Sequence, residues 1–498
     1  MCADWCILVT QDEVNSEPSK PSGSPRAAAR FGRDLTTGSI PRHLIAFSLP
    51  MLAGSALQTA YSFVNAIWVG QYLGKNALAA VTVSFPVVFV LIALAAGMTL
   101  ATTILVSQHY GARDMQALRR VVSSSTALIG ALGLVMFIGG ELLAGWILRA
   151  MDTPPEIWAI ATSYLRIFLF SLPAVFGVFL VRGMLQGIGD SKTPLYFQSA
   201  GLLLSAALDP VLMFGWLGMP RLGLNGTAYA TIIAQGLAVV SMVIWLRRSN
   251  SPVAPRAMRQ FDWATTWITL RIGAPSAVQQ SLISVGMVFV TSIINGFGGD
   301  ATAAFGAASR VDQLAFMPAM TLSMAVSSLA GQNIGAGRYD RIRQVLLWGC
   351  LFSFGMTAVA SLLAVSVPTT LLHIFTRDPA VVDIGRSYLR TVGASYCFFA
   401  VMFITNGIIN GSGHTLVPTL ISLVSLWVVR VPLAYWLSRK MGSIQGVWYS
   451  MALSFFVSMV ASAAYYYTGR WRRPIMRRSS PPPPNTPEAV FGEETGEA

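Results

Sequence analysis

Ionisable side chains are rare within the apolar stretches of this chain, and the few that occur there are the residues able to do chemistry. Asp209 lies about seven residues from one end of a long apolar run, in the setting Leu208-Asp209-Pro210. Asp312 lies about nine residues inside another run, two residues after Arg310, and Arg430 sits at a similar depth in a third. A charge inside a bilayer costs several kcal/mol, so an acid or base kept there is a functional candidate by default. Two roles fit Asp209: a carboxylate that gives up a proton or Na⁺ in exchange for a cargo, or a packing residue bonded to a nearby hydroxyl or Arg. Asp312 fits an exchange role or a structural pair with Arg310 or Arg430. Arg430 fits that pair or the recognition of an anionic group.

Polar side chains recur around these charges at helical spacing. Gln58, Tyr61, Ser62 and Asn65 stand at i, i+3, i+4 and i+7, which places them on one helix face. A polar face in a membrane helix turns toward a cavity or a neighbouring helix rather than lipid. With Ser205 nearby, this face is expected to line a cavity beside Asp209. Gln280, Ser284, Thr291 and Asn295 form a looser stripe, with Gln279 beside it. Phe398, Phe399, Met402 and Phe403 offer either a soft surface for an aromatic cation or ordinary packing.

The elements that must position these groups follow from composition and pattern. The chain is 54% hydrophobic and only 11% charged, against roughly 25% charged in an ordinary soluble domain. Twelve apolar spans can be placed, each near the ~20 residues needed to cross the hydrocarbon core. The first lobe, 44–246, holds six, a basic linker covers 247–269, and a second lobe, 270–467, holds six more. Residues 1–43 and 468–498 read as unstructured, the latter basic and then Pro-rich and acidic. The first 43 residues contain no long apolar core, so no cleavable signal peptide is expected.

The net charge of +13 does not point to nucleic acid, because Lys and Arg cluster in short segments between apolar runs. With both termini inside, about 23 basic residues fall on the cytoplasmic side and about seven outside. That excess predicts cytoplasmic N- and C-termini in the inner membrane. The four cysteines are too scattered for a disulfide framework or a zinc site, and no cofactor is expected.

The chain also repeats itself at an offset of about 224 residues. Ser163-Tyr164-Leu165-Arg166 returns as Ser387-Tyr388-Leu389-Arg390, Gln108 with Gly111-Ala112 as Gln332 with Gly335-Ala336, and Pro194 as Pro418. Six spans per copy is an even number, so both copies cross the membrane in the same sense. The expected fold is an all-α polytopic membrane protein of 12 transmembrane helices in two pseudo-symmetric six-helix lobes, a parallel repeat about the membrane normal.

Several ordered motifs on this frame resemble the MATE (multidrug and toxic compound extrusion) transporters. They are Leu57 to Gly70, Val106-Ser107-Gln108-His109-Tyr110-Gly111-Ala112, Gln186 to Pro194, Leu208-Asp209-Pro210 and Ala330-Gly331-Gln332-Asn333-Ile334-Gly335-Ala336. The resemblance covers about residues 35–470. It implies a secondary antiporter that expels organic cations in exchange for Na⁺ or H⁺. Two departures stand out. Many members carry an Asp where this chain has Asn65, often with an Asn where it has Ser205. Another branch has a Glu in the seventh span, near Gln279, Gln280 and Ile283.

The leading functional reading is therefore an antiporter for amphipathic organic cations, acting as a monomer in the lipid bilayer. A lipid-linked saccharide flippase of the same superfamily is the second reading; few membrane Arg and only twelve spans count against it. A non-transporting sensor would need a soluble domain, and an enzyme a catalytic cluster, and the sequence displays neither.

Overall fold

The computed structural model describes residues 32–151, 153–255 and 260–472. Among the described residues ten helices are long and apolar enough to cross a membrane, and two bent pairs, each taken as one span, bring the number to twelve. In chain order the first lobe contains Ile40–Tyr72, Gly74–Gly111, Met115–Ala150, the pair Pro155–Leu169 and Leu172–Gly187, then Lys192–Phe214 and Leu224–Arg248. The second lobe repeats this with Trp263–Asn295, Gly299–Gly335, Tyr339–Ser366, the pair Pro379–Gly393 and Tyr396–Gly411, Leu416–Met441, and Gln445–Tyr467. They are numbered below as spans one to twelve. Helices dominate because lipid offers no partner for backbone N–H and C=O groups, so each span must satisfy its own.

The fourth and tenth spans were expected to be continuous. Each instead bends, by 45° and 46° respectively. At each bend a serine at a repeat-equivalent position adds a second donor to a carbonyl that its own backbone N–H already bonds, Phe168 O and Val392 O, each at 2.9 Å. Ser171 Oγ donates to Phe168 O and Ser395 Oγ to Val392 O, both at 2.6 Å. Both serines are buried, and these bonds satisfy their hydroxyls where lipid offers no partner. The eleventh span carries a widened π turn, Val424–Arg430. Pro432 follows it, and proline lacks the N–H that would close a regular turn there.

The expected domain edges need three corrections. Residues 32–43 are structured: the first span begins at Ile40, and Leu35 is completely buried. The linker is shorter than 247–269, because the sixth span runs to Arg248 and the seventh starts at Trp263. Asp262 caps that start, its carboxylate accepting from the backbone N–H groups of Ala264 and Thr265. At the other end, residues 468–472 are structured, with Trp471 stacked on Tyr466 at 5.3 Å and 12°. Residues 1–31 and 473–498, also read as unstructured, lie outside the described residues.

The lobes meet at the face that carries residues 33–38 and 468–472. Gln108 Nε2 donates to Gly411 O at 2.7 Å, and its repeat equivalent Gln332 donates through Nε2 to Gly187 O at 2.9 Å. Glycine lets the backbones touch there: a methyl group on Gly111 would lie 2.0 Å from Gln332 O, and one on Gly335 1.9 Å from Gln108 O. Residues 33–38 then run as a strap across the seam. Arg33 N donates to Ile188 O of the first lobe at 3.0 Å. Leu35 N donates to Gln332 Oε1 at 3.0 Å, while Arg338 and Arg341 of the second lobe donate to Thr36 O and Gly38 O.

Candidate functional site: a half-bonded carboxylate

Asp209 is fully buried in span five. Helical periodicity carries Tyr61 and Asn65, one turn apart on span one, to the same carboxylate oxygen. Tyr61 Oη donates to Asp209 Oδ2 at 3.2 Å and Asn65 Nδ2 donates to it at 3.1 Å. Asp209 Oδ1 is buried with no hydrogen-bond partner among the described residues. Ser205, one turn earlier and also buried, lies near the Tyr61 hydroxyl. Gln58 lies further along the same face and meets Gln198 of span five at 3.5 Å. Pro210 cannot donate a backbone hydrogen bond, which loosens span five beside the acid.

The second lobe holds its acid differently. Asp312, on span eight, accepts from both Tyr388 and Tyr396, the latter at 2.5 Å, so each carboxylate oxygen has a phenol donor. Of the alternatives for Asp312, the pair with Arg310 does not form. Residues two apart on a helix do not face each other, and Arg310 instead lies 5.8 Å from the Phe375 ring centroid. No salt bridge joins Arg430 to Asp312 among the described residues either; the guanidinium turns to Ser454 Oγ, which its Nε meets at 2.8 Å.

The residues of the loose stripe on span seven bond locally and to neighbouring spans. Gln279 donates to Ser422 Oγ at 2.7 Å and accepts from Thr419, tying span seven to span eleven. Ser284 and Thr291 bond back to carbonyls of their own helix, and Asn295 accepts from Thr302. No side-chain hydrogen bond joins Gln280 to either acid among the described residues.

Sequence reading missed Tyr388 and Tyr396 as the partners of Asp312. One signal was present in the duplicated Ser-Tyr-Leu-Arg motif. Its first copy places Tyr164 within electrostatic reach of Asp209, and its second places Tyr388, 224 residues on, against Asp312. Each lobe therefore sets the equivalent tyrosine against its acid, although the acids sit on non-equivalent spans.

A family model described as MatE matches residues 50–211 and again 275–436, one match per lobe. The chain belongs to the MatE family. The two matches include both buried acids and Arg430. Among curated relatives, a probable multidrug resistance protein, YoeA of Bacillus subtilis, is 33% identical over 433 residues, covering 86% of this chain and 94% of the relative. A second from the same organism, YpnP, is 30% identical, covering 88% and 97%. Two solved structures share the fold, each with a TM-score of 0.82 at 24% identity and covering 88% of this chain and 97% of the other. One is a MATE in the straight conformation; the other is an outward-facing multidrug resistance MATE family transporter.

Proposed function

We propose that this MatE transporter is a secondary antiporter that exports amphipathic organic cations in exchange for H⁺ or Na⁺, with Asp209 as its coupling carboxylate. The observation that carries this reading is the unpartnered Oδ1 of a fully buried carboxylate. A buried acceptor without a partner costs about 1–3 kcal/mol, and more for a charged group. A proton or a small cation at Oδ1 removes that cost. Tyr61 and Asn65 meanwhile fix Oδ2, so the carboxylate keeps its orientation whether Oδ1 is occupied or free.

Antiport requires one group that cannot serve ion and cargo at once. A carboxylate meets the requirement, because a proton or Na⁺ cancels the charge that would attract a cationic cargo. Asn65 cannot ionise, so Asp209 acts without a second acid on span one. The closed seam at the face bearing the strap supports one half of an alternating cycle. If that face is cytoplasmic, as the distribution of basic residues argues, the conformation is the one that faces outward across the inner membrane. The sequence contains no phosphate-binding loop, which leaves an ion gradient as the energy source.

Dye efflux from vesicles under separately imposed Na⁺ and H⁺ gradients tests this reading. One of the two gradients should drive efflux, and Asp209→Asn should abolish it while membrane expression stays intact. Near-normal efflux by that variant would move the coupling role to the second lobe, with Asp312 the next residue to examine.

A further inference from the structure

Arg430 stands near the middle of span eleven, 14 residues from Leu416 and 11 from Met441, on the last residue of the widened turn. Its surroundings place it inside the second lobe. Span twelve supplies Ser454 Oγ at 2.8 Å and the Phe455 ring 4.7 Å beneath the guanidinium carbon, and span seven supplies Met287. A guanidinium has five N–H donors in a planar fork. Among the described residues only Nε has an oxygen partner; the partner of Nη1 is the Met287 thioether at 4.0 Å. Among the described residues no carboxylate oxygen comes within 4.0 Å of it. Asp312 lies within electrostatic reach, but both of its oxygens are already taken by Tyr388 and Tyr396.

The side chain is nevertheless oriented. Ser454 and Phe455 hold the plane in place from one edge and one face, and the residue stays partly accessible. The free edge is the Nη1/Nη2 fork, whose geometry matches a carboxylate with two parallel hydrogen bonds. Aromatic rings continue from Phe455: it meets Phe399 at 5.4 Å, and Phe399 stacks on Phe316 at 3.8 Å and packs on Phe403 at 4.3 Å. A planar anion on an aromatic body suits both features at once.

We infer that Arg430 forms a carboxylate subsite in the second lobe, the point at which the anionic group of a transported amphiphile is held. The inference rests on the export reading above and names one residue contact within it. The two lobes then differ in sign where they differ in sequence. Span five presents an acid at Asp209, and span eleven presents a base within about one turn of the repeat-equivalent position.

The test is equilibrium binding to the purified protein of a rhodamine with a free carboxylate and of its methyl ester, which keeps the xanthene cation and loses only the anion. Arg430→Gln should weaken the carboxylate dye by about tenfold, the scale of one lost charge-assisted hydrogen-bond pair, and leave the ester within about twofold. Arg430→Lys, which keeps the charge but not the fork, should fall between. The double variant Asp312→Asn/Arg430→Gln guards against a merely structural role. If Arg430 only balances Asp312, removing both charges restores carboxylate-dye binding, and the inference is overturned. Equal losses for both dyes, or wild-type binding indifferent to the carboxylate, also overturn it. Because binding needs no gradient, failed gradient-driven efflux with the dye difference intact would count against the antiport reading alone.

Discussion

The two donors on Asp209 Oδ2 give a graded prediction for the residue scale. Tyr61→Phe removes one of them without changing shape. A single hydrogen bond contributes about 0.5–1.5 kcal/mol net, more to a charged acceptor. The remaining charge is then less satisfied by protein and more by the coupling ion. The half-saturating concentration of that ion should therefore fall by about two- to tenfold, measured as efflux rate against the imposed gradient, with expression unchanged. An unchanged or raised half-saturation would show that Tyr61 does not act through Asp209. Asn65→Ala should act in the same direction. Asp312 is built for the opposite behaviour, since both of its oxygens are bonded. Its loss leaves two buried phenols searching for acceptors, and a lowered melting temperature is the expected signature.

At the scale of elements, the seam between the lobes is held by backbone proximity and by the strap. Gly111 and Gly335 are the tight points, since a methyl group on either would meet backbone carbonyl oxygen at about half an ordinary contact distance. Gly111→Ala should keep the seam from closing. Spin labels on Arg119→Cys and Arg343→Cys, exposed repeat-equivalent positions in opposite lobes, would read this as a longer distance. An unaltered distance distribution would refute the seam as a gate. Leu35→Ala tests the strap in the same way. Truncating a completely buried Leu costs about 2–5 kcal/mol, enough to move an equilibrium between closed and open seams.

The strap also carries an acid outside the membrane. Burial alone would raise the Asp34 pKa, but hydrogen bonds from the Thr36 side chain and backbone, with Arg113 and Arg338 nearby, outweigh it and hold the carboxyl below the usual range. For a lowered acid pKa, the stabilising contribution is present above the unfolded value and lost as pH falls through the folded one. The strap should therefore hold unchanged across neutral pH and loosen only below about pH 4.

For the whole molecule, the testable quantity is orientation. Arg248, exposed at the end of span six, and Leu217, 91% exposed between spans five and six, lie at opposite ends of that helix. In a background without the native cysteines, a membrane-impermeant thiol reagent added to intact cells should label Leu217→Cys and spare Arg248→Cys. The reverse pattern would invert the topology and, with it, the assignment of the closed seam to the cytoplasm.

The sequence by itself determined the lipid-spanning class, the duplication and the twelve spans, because apolar length and a repeat offset are local or one-dimensional properties. It also placed Tyr61, Asn65 and Asp209 at matching depths, since helical rise converts residue number into distance along the membrane normal. Which face of span five meets span one was left to packing, and so was the fact that only one oxygen of Asp209 is bonded. The bends at Ser171 and Ser395 escaped notice because hydropathy does not change across them. Asp312 and its phenols are 76 and 84 residues apart in the chain, a separation that no periodicity bridges. Residues 32–43 read as unstructured for the same reason. A short segment has no core of its own, and Leu35 becomes buried only after two lobes, folded from opposite halves of the chain, have closed around it.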